Sequence, residues 1–180
     1  MRYCSQCGHP VVVKIPPGDN RPRHVCDACG TIHYQNPRLV AGCVIEAADG
    51  RILLCRRAIE PRRGYWTIPA GFMENGETTA QCAAREAVEE ARAEVRDLTL
   101  FALINVARID QVHLMFRGRL GEGGFGAGSE STEVALFEET DIPWDSLAFP
   151  SVEFTLRRFI ADRHRGTYGV HYAEIGGPLP

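Results

Sequence analysis

The sequence predicts an α/β sandwich preceded by a small metal-stapled module, and three observations carry that prediction. Four of the seven cysteines form two Cys-x-x-Cys pairs, Cys4/Cys7 and Cys26/Cys29, inside an N-terminal segment rich in Pro and Gly. Beyond Asn36-Pro37, strand-like runs are mixed with two helical patterns. The first of these helices, Thr78–Arg92, places Ala80, Ala83, Ala84, Ala87 and Ala91 on one narrow face, and side chains so small predict close packing against a sheet.

A chain of 180 residues has room for one domain and a small module, with the division expected at residues 1–35 and 36–180. Twenty basic residues against twenty-three acidic ones give a net charge of −3. No global positive field exists, which argues against nucleic acid as a partner. A composition 44% hydrophobic and 24% charged excludes wholesale disorder. The longest apolar run, Leu39 to Ile45 with Gly42 inside it, falls far short of the ~18 residues of a membrane span. Residues Met1–Cys7 lack the apolar core of a secretory signal. A cytoplasmic chain without a membrane partner is expected.

Two residues between the cysteines of a pair let both thiolates meet one ion, and the 18 residues between the pairs fit a structural zinc site. Gly8 and Gly30 follow the second cysteine of each pair, where a tight turn calls for positive φ. Four thiolates close a tetrahedral Zn²⁺ site with no position left for catalysis, and the ion supplies folding energy that so short a module cannot draw from a core. Two disulfides or redox pairs are the alternative, disfavoured in a reducing compartment. Cys43, Cys55 and Cys82 sit in apolar stretches and read as core residues, and His9, His24 and His33 as surface histidines.

After the hairpin ribbon of residues 1–35, Leu39–Ala47 and Arg51–Arg57 read as strands joined by an Asp49-Gly50 turn. Trp66–Ala70 reads as a short strand and Gly71–Gly76 as a loop leading into the alanine helix. Val95–Asn105 and Val112–Arg119 alternate as strands, and Gly121–Gly128, with five glycines, reads as a flexible loop. Glu133–Phe137 is a further strand, Pro143-Trp144 opens a turn, and Val152–Arg163 is a second amphipathic helix bearing Phe154, Leu156, Phe159 and Ile160. The residues after His164 carry no assignment.

The chemistry is concentrated in Arg85-Glu86-Ala87-Val88-Glu89-Glu90. Glu86 and Glu90 stand one helical turn apart with Glu89 beside them, on an arc expected to lie opposite the alanine face. Three clustered carboxylates repel one another unless they hold divalent cations, for which carboxylates, waters and substrate phosphates form the usual Mg²⁺ shell. Arg85 is placed to neutralise and orient a neighbouring carboxylate. A solvated acidic face is the plainer alternative. The turn-rich loop Pro69-Ala70-Gly71 to Glu74-Asn75-Gly76-Glu77 runs into this helix and offers backbone groups to a metal or phosphate.

These residues resemble the Nudix box, Gly-x5-Glu-x7-Arg-Glu-U-x-Glu-Glu-x-Gly-U with U aliphatic. Gly71, Glu77, Arg85, Glu86, Ala87, Glu89, Glu90 and Ala93 fall on it, and only the late glycine departs, as Arg92. The resemblance implies an α/β/α sandwich with a mixed sheet and metal-dependent hydrolysis, with Mg²⁺ or Mn²⁺, of a nucleoside diphosphate linked to a moiety X. It implies Glu86 and Glu90 as principal metal ligands, Glu89 as a third, the Gly71 carbonyl as another, and Glu77 and Arg85 as braces. Homodimers are common in the family.

The zinc-ribbon NADH pyrophosphatases carry Ser-Gln-Pro-Trp-Pro-Phe-Pro-x-Ser after the box, whereas Val95–Arg119 contains no proline here. The chain is similar instead to bacterial and plant-plastid FAD and ADP-ribose pyrophosphatases. The shared stretches include Asn36-Pro37-Arg38, Leu53-Leu54-Cys55-x-Arg57, Trp66-Thr67-x-Pro69-Ala70-Gly71 and Ile142-Pro143-Trp144. That likeness implies a small-molecule dinucleotide substrate, FAD or ADP-ribose, cleaved with release of AMP and with NADH a poorer substrate. NADH hydrolysis, decapping of NAD-capped RNA, and a non-catalytic binding or regulatory module remain alternatives. The general base lies outside the box; Glu130 and Glu133, after the glycine-rich loop, are the candidates. Arg38, Arg56 and Arg57 are candidates for phosphate contacts, Tyr65, Trp66 and Phe149 for base stacking, and Asn105–Gln111 for the substrate pocket.

Overall fold

The computed structural model describes residues 1–176 and divides into two compact units, Met1–Asn36 and the chain from Pro37 onward. In the first, β1 (Val12–Lys14), β2 (Arg23–Val25) and β3 (Ile32–His33) form an antiparallel sheet in that order. Each cysteine pair turns back on itself. Gly8 N–H donates to the Cys4 carbonyl at 3.0 Å and Gly30 N–H to the Cys26 carbonyl at 2.8 Å. Both glycines sit at positive φ, 75° and 73°, where a Cβ would be strained. The two turns bring all four sulfurs within 4.8 Å of one another. Cys4 and Cys29 Sγ are 3.6 Å apart, and Cys7 and Cys26 Sγ 3.5 Å. A tetrahedron of thiolates around Zn²⁺ has edges of about 3.8 Å, so the cluster fits the ion. None of the four is in a disulfide. His33 is not an idle surface histidine, because its Nε2 lies 3.3 Å from Cys4 Sγ.

The second unit comprises β4 (Arg38–Glu46), β5 (Ile52–Arg57), β6 (Trp66–Thr67), β7 (Ala70–Phe72), α1 (Thr79–Ala91), β8 (Val95–Val106), β9 (Gln111–Leu120), β10 (Ser131–Phe137), α2 (Pro150–Arg165) and β11 (His171–Glu174). The main sheet runs β10-β5-β4-β9-β8-β11, with β6 paired to β5 and β7 to β4. It is mixed, because β4–β9 and β8–β11 are parallel and the other pairs antiparallel. Alternate residues of β4 face opposite layers: Val44 packs with Phe101, Leu156 and Phe159 under α2, whereas Cys43 and Ile45 pack with Ala83 and Ala87 under α1. This is the α/β/α sandwich.

The expected single strand Trp66–Ala70 is instead two short ones. Pro69 has no N–H for a ladder, and the chain passes there from β5 to β4. The close approach of β7 depends on Gly42, where a Cβ would fall 2.3 Å from Ala70 Cβ. The residues after His164 do contain an element. β11 joins the sheet edge beside β8, and the buried Asp162 of α2 holds it there. Asp162 accepts from His171 Nε2 at 2.8 Å, from the Gly169 amide at 3.2 Å and from Arg165.

Helix α1 opens on a capping box between Thr78 and Gln81. It ends as the box glycine would have it, although the residue there is Arg92, at φ 48° and ψ 29°. The amides of Arg92 and Ala93 close onto the Val88 and Ala87 carbonyls at 2.9 and 3.1 Å. The left-handed turn survives the substitution, with a non-glycine residue carrying its strain.

The cysteine cluster and the last turn of α1 each carry a prediction. Purified protein is expected to hold one zinc per chain by elemental analysis, and Cys26→Ser to expose residues 1–36 to protease while the second unit stays folded; a metal-free, protease-resistant ribbon would refute the zinc site. Arg92→Gly is expected to raise stability by about 0.5–1 kcal/mol in denaturant titration, since glycine relieves the left-handed strain and returns part of that gain as chain entropy.

Candidate active site

The alanine face packs as expected, with Ala83, Ala87 and Ala91 wholly buried. The carboxylates do not lie opposite it. Glu86 and Glu90 are only 8% and 5% exposed, and Glu89 alone is solvent-facing. Seven residues at 100° each bring Glu90 back to within about 20° of Ala83, so the helix carries both carboxylates to the rim of its buried face. There the edge of β7 receives them. The Ala70 amide donates to Glu90 Oε2 at 3.1 Å. A Cβ on Gly71 would lie within 2.4 Å of the Glu86 carboxylate, so the glycine lets that carboxylate lie against backbone. The Gly71 carbonyl faces the Cys82 thiol at 3.8 Å.

Arg85 gathers the acidic groups. Its guanidinium donates to both oxygens of Glu77 at 3.0 and 2.8 Å, to Glu86 Oε1 at 2.7 Å, to Glu89 Oε2 at 2.9 Å and to the Phe72 carbonyl at 3.0 Å. Glu77 also accepts from the Glu74 amide at 2.7 Å, which folds the loop onto the helix. The Arg85 guanidinium holds the Glu77 carboxyl down at about 2. Glu90 lacks such a partner, and burial pushes its carboxyl up to about 8. Burial raises Glu86 as well, against the pull of Arg85.

A cleft of about 530 Å³ opens over these groups, within the usual range for small-molecule sites. Glu86, Glu89, Glu90, Glu130, Arg57 and Gly71 all line it. Glu133 does not. It pairs with Arg56 at 3.5 Å on an exposed surface. Glu133 lies within β10 as the register partner of Arg56, whereas Glu130 precedes the strand. Of the aromatic candidates, Phe149 lines the cleft beneath Arg57 at 5.2 Å. Trp66 packs edge-on against Phe137 in the α2-side core, and Tyr65 lies under Arg62. Arg38 stacks over Phe72 at 4.5 Å. From Asn105–Gln111 only Ile109 and Gln111 reach the cleft, while Asn105 bonds Tyr172 at 3.0 Å. Sequence reasoning passed over His113 and Ser151, which also line it. Their signal was slight: a histidine two residues from a glutamine in a strand puts both on one face.

A zinc-ribbon family model described as "Nudix N-terminal" matches residues 2–35, and the model of the NUDIX domain matches residues 36–162. The chain belongs to the Nudix hydrolase family. A solved structure of a NUDIX hydrolase from Nitrosomonas europaea is 48% identical and superposes with a TM-score of 0.93, covering 97% of this chain and 99% of that one. The NAD-capped RNA hydrolase NudC of Vibrio atlanticus is 32% identical over 151 residues, 79% of this chain and 51% of its own. This chain thus spans about half the length of that curated relative. An ADP-ribose pyrophosphatase from Streptococcus suis, 20% identical with a TM-score of 0.61 over 76% of this chain and 99% of its own, shares the fold.

The Glu90 carboxyl makes a pH prediction. Its pKa in the folded chain, about 8, lies above the ordinary 4.5. Between those values the folded state keeps a proton that the unfolded state has lost, so this group makes stability fall as pH rises through the window. In magnesium-free buffer the Tm should decline from pH 5 to pH 8 more steeply for the native chain than for Glu90→Gln. Equal slopes would show that Glu90 is not the group responsible.

Proposed function

We propose that this chain hydrolyses the pyrophosphate of an adenine dinucleotide, of the NAD class before others, releasing AMP. The observation that carries the hydrolytic reading is the convergence of four carboxylates, Glu86, Glu89, Glu90 and Glu130, on one cleft. Two of them are buried at a cost that nothing in a plain binding module would offset. The NAD class comes from the relatives named NAD-capped RNA hydrolase, among them the 32% identical protein of Vibrio atlanticus. Those names also remove the ground for excluding nucleic acid, and a capped RNA end becomes a substrate to test. FAD or ADP-ribose is the second reading, favoured by the absence of proline from Val95 to Arg119.

The donor set fits Mg²⁺ or Mn²⁺. No three carboxylate oxygens of Glu86, Glu89, Glu90 and Glu130 lie within 4.8 Å of one another, unlike the cysteine sulfurs, but Mg²⁺ takes only one or two carboxylates and fills its shell with water and phosphate. Glu86 and Glu90 would hold the ion, with Glu89 beside them; when bound, it neutralises the pyrophosphate and acidifies a water. The remaining work belongs to the chain. Arg85 holds Glu86 and Glu89 apart from each other's repulsion and ties both to Glu77 and the Phe72 carbonyl. The Ala70 amide fixes Glu90. Glu130, exposed at the end of the glycine-rich loop, takes the proton of the attacking water. Arg57, stacked on Phe149, pairs with a phosphate oxygen.

The test is a product screen of NAD⁺, NADH, FAD, ADP-ribose and NAD-capped RNA with Mg²⁺ or Mn²⁺. AMP and nicotinamide mononucleotide, oxidised or reduced, are the expected products from NAD⁺ and NADH, and nicotinamide mononucleotide with a 5′-monophosphorylated RNA those from the capped RNA. Glu90→Gln and Glu130→Gln should each lower turnover by about 100-fold or more, the scale of losing a main charge stabiliser or base. Full turnover by Glu90→Gln at saturating Mg²⁺ would reject the role given to it. FAD or ADP-ribose turned over tenfold faster than NADH would move the substrate to the second reading.

A further inference from the structure

The wall of the cleft across from the acidic helix carries a relay of polar side chains that the hydrolytic reading does not use. His113 Nε2 lies 2.9 Å from Gln111 Oε1, and His113 Nδ1 lies 3.2 Å from Ser151 Oγ. His113 is 9% exposed and Ser151 3%. The ring is held neutral, because burial lowers its pKa and no carboxylate bonds it. A neutral imidazole has one N–H and one acceptor nitrogen. The Gln111 oxygen only accepts, so the ring hydrogen sits on Nε2, and Nδ1 accepts from the Ser151 hydroxyl. The serine stands in the first turn of α2, with its carbonyl bonded by Thr155 Oγ1 at 2.7 Å. With Gln111 Oε1 turned to His113, every member of this chain has a partner, and the amide is held in that orientation. Its two Nε2 hydrogens meet no protein acceptor among the described residues, and Oε1 keeps a second lone pair.

An amide fixed in this way shows the cleft a donor beside an acceptor. That pair matches the adenine edge, where N6–H₂ donates and a neighbouring ring nitrogen accepts. Guanine shows two acceptors on its major-groove edge, and on its pairing edge O6 accepts where adenine N6 donates and N1–H donates where adenine N1 accepts, the reverse of what an amide held in this orientation offers. The sheet supplies the flat apolar surroundings a base needs. Val40 is the register partner of both His113 and Phe72, and Arg38 is the partner of Gln111 and lies over the Phe72 ring. Val40, Phe72 and Ile109 line the same cleft as Gln111. We infer that Gln111 reads the adenine base of the substrate, with His113 and Ser151 as positioning residues, and that this pair of bonds makes the enzyme select adenine over guanine nucleotides. The inference rests on the dinucleotide reading above and adds which atom pattern of the substrate is recognised.

NAD⁺ and nicotinamide guanine dinucleotide differ only in the purine and give the test. The native chain should favour NAD⁺ in kcat/KM by about 10- to 100-fold, the discrimination of one bidentate contact. Gln111→Leu should bring the two substrates within about threefold of each other, mostly through KM for NAD⁺. Gln111→Glu, of the same shape, replaces the donor by a second acceptor and should turn the preference toward guanine. His113→Phe and Ser151→Ala should narrow the ratio, a change that a merely structural role would not produce. A native ratio near one, or a ratio that Gln111→Leu and Gln111→Glu both leave unchanged, overturns the inference. If the native chain cleaves neither dinucleotide, the hydrolytic reading fails by itself. AMP and GMP titrated with Mg²⁺ by calorimetry then decide base selection, and equal affinities for the two overturn it.

Discussion

The arrangement of the second unit turns on one guanidinium among many carboxylates. Glu77, Glu86 and Glu89 all reach Arg85, the first from a loop and the other two from one helix. Without it, among the described residues, six glutamates would line the cleft with Arg57 the one arginine beside them. A lysine in its place would offer a point charge but not the planar fork that binds both oxygens of Glu77 while still reaching Glu86, Glu89 and the Phe72 carbonyl. The bidentate pair is what ties the loop of residues 73–78 to the helix, and the loop in turn fixes where β7 ends. Geometry at the cleft and closure of the loop onto the helix thus share the same five hydrogen bonds, on a helix that its buried alanines seat against the sheet.

What the sequence made legible was local. The cysteine spacing, the alanine stripe and the box each lie within a few turns of chain, and each appears in the structure where the pattern put it. Pairings over long separations were hidden. β11 joins β8, some seventy positions back in the chain, and is secured by Asp162, whose partners could not be named before the fold existed. Glu130 and Glu133 were equivalent on paper, yet one precedes β10 and lines the cleft while the other lies within the strand, opposite Arg56 and paired with it. The helix wheel held the answer for Glu90, but counting from the acidic residues alone placed it on the wrong side of the alanines.

Burial of Glu86 and Glu90 separates two duties within one short motif. Glu77 and Glu89 keep Arg85 in place, and Arg85 in return holds the Glu77 carboxyl well below the usual range, while Glu90 sits where water cannot shield it and holds a proton more tightly than a carboxyl should. Such a group is poised to exchange that proton for a cation of higher charge. The pattern of paired and unpaired acids, rather than their number, is what distinguishes this helix from a solvated acidic face.

The glycine-rich segment after β9 looks, by composition, like a loose tether. In the structure it is seated against the end of α1. The Gly126 amide donates to the Ala91 carbonyl at 2.8 Å and the Gly128 amide to the Glu90 carbonyl at 3.1 Å. A side chain at Gly128 would collide with the Glu89 carbonyl, since even a Cβ would come within 1.7 Å. A helix presents the negative end of its dipole at its last carbonyls, and here that end lies beside Glu89 and Glu90, where it adds to a field already unfavourable to ionised acids. Two amide hydrogens brought in from another segment blunt it. Glycine content here serves electrostatic containment: the backbone itself comes close enough to act as a counter-dipole, and the same contact sets the starting point from which Glu130 reaches the cleft.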